Sequence, residues 1–91
     1  MKIDNISFQS AGDEEREDGL LGWISCAVDD RIKLSSIALR RTRDGRLTLS
    51  FPARRDYAGR QHFFVRPLDN NTRLEIEHQV FSQLGMESIA E

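Results

Sequence analysis

Arginine is the one residue type in this chain whose spacing suggests a chemistry. Arg54, Arg55 and Arg60 lie within the stretch Phe51-Pro52-Ala53-Arg54-Arg55-Asp56-Tyr57-Ala58-Gly59-Arg60. A guanidinium is planar, permanently charged and carries a fork of N–H donors that matches phosphate or carboxylate oxygens two at a time. The chemistry on offer is recognition of an anionic partner, with no bond made or broken. In a merely solvated turn the same arginines would only keep the surface soluble, because charge runs commonly mark solvent exposure.

Other chemistries find less support in the residue types. Catalysis needs a nucleophile–base pair or paired carboxylates at a pocket. His62 and His78 fall on different elements, with no HxxxH spacing and no Ser or Cys partner pattern. The six glycines form no phosphate-binding motif. A zinc site needs more than one cysteine and two scattered histidines. Asp29-Asp30 suits a tight turn better than a metal, since no third ligand follows at metal-site spacing. Cys26, the single cysteine, sits in an alternating apolar run and reads as a small buried hydrophobe. The expectation is a protein that is not an enzyme, with no cofactor, no metal and no small-molecule substrate.

Composition sets the frame in which the arginines act. With 91 residues, 38% hydrophobic and 31% charged, the chain is expected to form one domain spanning 1–91. The single cysteine rules out an internal disulfide framework and fits a reducing compartment. No apolar run approaches the ~20 residues of a membrane span, and the start Met1-Lys2-Ile3-Asp4 does not resemble a signal peptide. A cytoplasmic location, away from membranes, is the expectation. The net charge of -2 hides a division: residues 1–18 carry two basic and six acidic side chains, residues 19–67 ten and four, residues 68–91 one and five. A basic middle between acidic ends permits a local positive face.

The elements that must position the arginines follow from periodicity. Lys2 to Phe8 alternates as a half-buried strand with Asp4, Ile6 and Phe8 on one face and Ile3 on the other. Residues 11–19 hold five acids against one arginine between glycines and predict a mobile loop. Leu20 to Val28 is a strand apolar on both faces: Leu20, Gly22, Ile24, Cys26 and Val28 on one, Leu21, Trp23, Ser25 and Ala27 on the other. After a reversal at Asp29-Asp30-Arg31 the chain returns over Ile32 to Arg41. The pairs Ile32/Leu34 and Ile37/Leu39 are out of phase by one residue, so a β-bulge near Ser35-Ser36 is needed to keep one buried face. Asp44-Gly45 favours a two-residue hairpin turn with positive φ at both positions. Arg40, Arg41, Arg43 and Arg46 gather there as a second basic cluster.

Leu47, Leu49 and Phe51 form the next strand until Pro52, which cannot donate a ladder hydrogen bond, ends it. The chain then leaves the sheet as an arginine loop, turns at Asp56 and Gly59, and returns through Phe63-Phe64-Val65 to Arg66-Pro67. Past Leu68 the period changes. Thr72 with Glu75 matches a capping box, with Asn71 as the alternative cap. Ile76, Val80 and Leu84 form the buried stripe of a helix, widened by Phe81, and Gly85 supplies the stop. Met86 to Glu91 is expected to fray or extend briefly. The fold class expected is α+β: a small antiparallel meander of about five strands with one C-terminal helix. A chain too short to cover both faces of Leu20–Val28 favours a homodimer.

This order of parts resembles the SpoVG family, small bacterial regulators named for a role in sporulation septation. The resemblance spans roughly residues 20–85. It is most specific at Pro52, Arg54, Arg55, Gly59, Pro67, Thr72 and Arg73, short matches in the correct order and spacing. Arg66 stands where the family typically has His, Ala53 where it has Ser, and the acidic segment Asp13–Asp18 is longer than the family's. The resemblance implies a homodimer that binds DNA or RNA and modulates gene expression. It carries the family's basic pair onto Arg54 and Arg55 and its helix-opening arginine onto Arg73. With Arg60 and Arg66 from the same loop, the candidate nucleic-acid-binding set is Arg54, Arg55, Arg60, Arg66 and Arg73. The rival expectation is a regulator that uses a sheet edge or its acidic termini to bind protein and never touches nucleic acid.

Overall fold

Four strands make the main sheet, and their register follows from which side chains can be buried. The computed structural model describes residues 1–86. Strands β1 (Ile3–Ser10), β2 (Leu20–Val28), β3 (Ile32–Arg41) and β4 (Leu47–Ser50) pair antiparallel in sequence order. Helix α1 (Asp13–Glu17) lies between β1 and β2. A separate two-stranded hairpin, β5 (Ala53–Arg55) and β6 (Gln61–Phe63), precedes helix α2 (Asn70–Leu84). The class is α+β, with two sheets in place of the one five-stranded meander.

One face of the sheet is dry. Ile3, Ile24, Cys26, Ile37, Leu39, Leu47, Leu49 and Phe51 pack there against Ile76, Val80 and Phe81 of α2. On β2 and β4 buried positions alternate with half-buried ones, the signature of a sheet covered on one side only. The bulge expected at Ser35-Ser36 is present: Ile24 pairs with Ile37 and Cys26 with Leu34, so one residue of β2 faces two of β3. Ser36 takes φ 61 to make it. A second bulge between Asp4 and Ser7, with Asn5 at φ 50, was not expected. It shifts the phase of β1, so Ile3 and Ile6 both reach the core while Phe8 stays exposed.

Three local expectations are corrected. The acidic segment folds as α1: Gly12 N–H donates to Glu15 Oε1 at 3.1 Å and Arg16 N–H to Gly12 O at 2.9 Å. Asp13, Glu14 and Glu15 occupy its first turn, where carboxylates favour the positive end of the helix dipole. At Arg43-Asp44-Gly45 the loop has three residues: Thr42 N–H donates to Arg46 O at 2.8 Å, and of the two only Gly45 has positive φ, at 89°. The cap of α2 is Asp69, not Thr72 or Asn71; its carboxylate accepts from Thr72 N–H at 2.7 Å. That bond, followed by the Thr72 hydroxyl, lowers the Asp69 pKa. The stop at Gly85 holds, with φ 70 and Met86 N–H donating to Phe81 O at 2.8 Å. Met86, first residue of the segment expected to fray or extend briefly, packs against the core, and residues 87–91 lie outside the described residues.

Helix α2 also pins each edge of the sheet at one point. Gln79 Oε1 accepts from Ile3 N–H at 2.9 Å and Gln83 Nε2 donates to Ile3 O, on edge strand β1. At the other edge, Glu77 Oε2 accepts from Leu49 N–H at 3.0 Å and from the Thr48 hydroxyl at 3.2 Å. Edge strands left open invite pairing with another chain, and here side-chain amides and a carboxylate occupy positions on both edges.

Candidate nucleic-acid interface

The arginine segment is a hairpin, not a loop. Pro52 does end β4, but pairing resumes one residue later: Ala53, Arg54 and Arg55 lie opposite Phe63, His62 and Gln61. Phe64 N–H donates to Pro52 O at 2.9 Å and closes the stem. Neighbouring residues of a strand point to opposite faces, so Arg54 and Arg55 do not form one paired clamp. Arg54 shares its face with His62, and Arg55 shares the other with Gln61.

Asp56 organises the turn. One carboxylate oxygen accepts from Ala58 N–H and Arg60 N–H, both at 2.9 Å. The other lies 2.8 Å from His62 Nε2 and 3.5 Å from Arg60 Nε. The His62 contact, followed by the two backbone donors, holds the Asp56 carboxyl below the usual aspartate range. His62 showed no partner pattern in the sequence; it is a surface side chain whose cross-strand position, set by the pairing, braces this turn.

The five candidate arginines separate into distinct situations. Arg54 is exposed and forms no ion pair among the described residues. Arg55 is exposed but donates from Nη1 to Gly59 O at 2.9 Å. Arg60 is paired with Asp56, as above. Arg66 stands over the Phe63 ring, 5.8 Å from its centroid, a cation–π distance. Arg73 belongs to the scaffold: its Nη2 is 2.5 Å from Thr48 Oγ1 and 3.3 Å from Glu77 Oε2. An open cleft of about 370 Å³ between hairpin and helix start is bordered by Phe51, Phe63, Arg66, Leu68, Asp69 and Arg73. Arg66 and Arg73 therefore meet at one cleft, while Arg54, Arg55 and Arg60 are carried by the hairpin beyond it.

Around these charges lies apolar surface that periodicity did not reveal. Tyr57 and Leu68 are almost wholly exposed, and Phe64 is 70% exposed. Among the described residues no group of three or more His, Cys, Asp or Glu is placed to hold a metal ion. No helix among them is long and apolar enough to cross a membrane. Burial and the nearby Asp4 carboxylate push the Cys26 thiol pKa up, away from nucleophilic use.

No family model matches the chain, and neither a curated protein nor a solved structure matches it.

Proposed function

We propose that this protein is a cytoplasmic bacterial regulator, without enzymatic activity, that binds nucleic acid as a homodimer and contacts phosphates through the β5–β6 hairpin. The observation that carries this reading is Arg54: an exposed guanidinium without an ion pair among the described residues, on a hairpin braced by Asp56. Arg60 in the turn, Arg55 on the hairpin's other face and Arg66 past its end each keep N–H donors left over after an intramolecular contact. Arg73 is no longer part of the proposed contact set. The resemblance to the SpoVG family supports the same reading through the hairpin residues Pro52, Arg54, Arg55 and Gly59.

The test is fluorescence anisotropy with single-stranded and duplex oligonucleotides across a salt series. Each phosphate contact contributes about 0.9 to the log–log salt slope on duplex DNA, so Arg54→Ala on both halves of a dimer should flatten it by about 2. Its thermal melt should match the parent's to within ~0.5 kcal/mol, as for other exposed positions. Sedimentation equilibrium at micromolar concentration should give twice the monomer mass. An unchanged salt slope in Arg54→Ala refutes the hairpin assignment. A second reading, a regulator that binds protein only, is favoured by exposed Tyr57, Phe64 and Leu68. It is the reading left if neither DNA nor RNA binds at low salt.

A further inference from the structure

The face of the main sheet opposite α2 carries no buried side chain in its centre, and it holds the only tryptophan. Trp23 lies in register between Gln9 of β1 and Ala38 of β3. Ser25, two residues along β2, faces Ser7 on one side and the Ser35-Ser36 bulge on the other. These neighbours are short or flexible, and Trp23 is half-buried among them with part of its indole lining an open surface. An open cleft of about 370 Å³ results, lined by Ser7, Gln9, Trp23, Ser25 and Ser36 with the Ile24 backbone strand beneath. That volume is near the lower end of small-ligand sites, roughly 300–1,000 Å³.

We propose that this cleft receives an unpaired base of a single-stranded nucleic acid, stacked on Trp23 with its edge against the Ser7, Ser25 and Ser36 hydroxyls and the Gln9 amide. The inference rests on the nucleic-acid reading above and adds to it a second, strand-selective surface. None of those polar side chains takes part in the hydrogen bonds that hold the described residues together, so their donors and acceptors are free for a ligand. Ser36 is held at φ 61 by the bulge, and a non-glycine residue in the left-handed region beside a cleft is the kind of backbone strain that accompanies binding sites.

Charge selects the occupant. Arg40 is two residues beyond Ala38 on the same face, a diagonal neighbour of Trp23 at roughly 7–8 Å. Lys33 shares that face at the other end of β3, opposite Ala27. Neither forms an ion pair among the described residues, whereas Asp4, also in register with Ala27, is paired with Lys2 at 3.2 Å. An aromatic platform between two cations is how sequence-tolerant single-strand sites are built. A protein partner would want a more apolar centre than one indole ringed by hydroxyls. Duplex DNA cannot reach the indole, because its bases are stacked and paired.

Because Trp23 is the sole tryptophan, its emission reports the site directly in the unmodified protein. The probes are decamers of deoxythymidine and of uridine, a ten-base-pair duplex, and free thymidine monophosphate, each at low salt. Single strands should quench Trp23, and the duplex should bind without quenching. Trp23→Ala should weaken single-strand binding about 5- to 150-fold, the worth of one stacked base, and leave duplex affinity unchanged. Trp23→Phe should keep most of the affinity. Circular dichroism melts confirm that each variant is folded, and the quench on the parent protein stands without either. Parent protein that binds single strands with unaltered emission overturns the proposal and leaves the hairpin reading intact. So does equal quenching by thymidine monophosphate at the same concentration, which would make the cleft a free-nucleotide site. A Trp23→Ala protein that falls from dimer to monomer overturns it too, assigning this face to a second copy. Failure of the parent to bind any nucleic acid removes the hairpin reading together with this one.

Discussion

Glu77 offers the sharpest test of how the helix is locked to the sheet. Its side chain is buried, and one oxygen, Oε2, collects Leu49 N–H at 3.0 Å, the Thr48 hydroxyl at 3.2 Å and Arg73 Nη2 at 3.3 Å. In Glu77→Ala the buried Leu49 amide loses its acceptor at the β4 edge, a penalty of about 1–3 kcal/mol. The Thr48 hydroxyl can turn elsewhere, and the lost pairing with the part-exposed Arg73 adds only ~0.5 kcal/mol after solvent screening. The expected loss is about 2–3 kcal/mol, a large share of the 5–15 typical of a domain. Glu77→Gln keeps a carbonyl oxygen for Leu49 N–H and should lose about half as much. Arg73→Ala leaves two of the three donors in place and should cost less than ~1 kcal/mol while nucleic-acid binding persists. Urea melts of the four proteins decide it. A Glu77→Ala loss below ~0.5 kcal/mol would mean that the β4 edge finds water instead, and the account of the latch would be wrong. Weakened nucleic-acid binding in Arg73→Ala with an unaltered melt would return Arg73 to the contact set.

Phe81, buried beside the Ile76–Val80 stripe of the helix, should cost ~3–5 kcal/mol as Phe81→Ala in the same melts. Asp69→Ala should lose about 1 kcal/mol as the true cap, and Thr72→Ala, which leaves the backbone N–H donor in place, clearly less. Asp69 and Asp56 both have carboxyl pKa values lowered by native hydrogen bonds, so their contribution is present above the unfolded aspartate pKa near 3.9 and is lost as pH falls through the lowered native values. Acid titration below about pH 4, followed by circular dichroism, should show that loss, and it should shrink in Asp69→Asn/Asp56→Asn. The Cys26 thiol, buried and shifted upward, should react with a thiol reagent only at the rate of unfolding, so fast labelling of native protein would contradict its place in the core.

Much of the scaffold was legible because it obeys one periodicity at a time. The bounds of Leu20–Val28 read correctly to the residue, although an irregularity between Leu20 and Gly22 sets Leu21, expected on the other face, against the core. The bulge at Ser35-Ser36 reads correctly too, since a phase slip between two apolar pairs has only that remedy if one face is buried. The bulge at Asn5 left no such trace: β1 offers just Ile3, Ile6 and Phe8, and three residues cannot reveal a slip in phase. The acidic helix was hidden because its stability comes from carboxylates in a first turn and a glycine-started cap, not from an apolar stripe. Asp69 was passed over for Thr72 because both satisfy the same chemical requirement, and only backbone geometry, extended at Asp69 with φ -145, separates them.

The arginines show where such reading stops. Their exposure follows from Pro52, and that inference needed no coordinates. Their directions do not. Whether Arg54 and Arg55 act together depends on whether the chain between Pro52 and Phe64 is irregular or paired, and six strand residues, with Phe63 the one large apolar side chain among them, cannot advertise a hairpin. Pairing turns Arg55 and Arg54 to opposite sides and lets a histidine that looked idle brace the aspartate of the turn. It also separates Arg73 from them, because the helix start points that side chain at Thr48 on the sheet edge. A sequence lists cations; the strand pairing decides which of them have already been used, and only those left over, Arg54 first among them, can be offered to a phosphate.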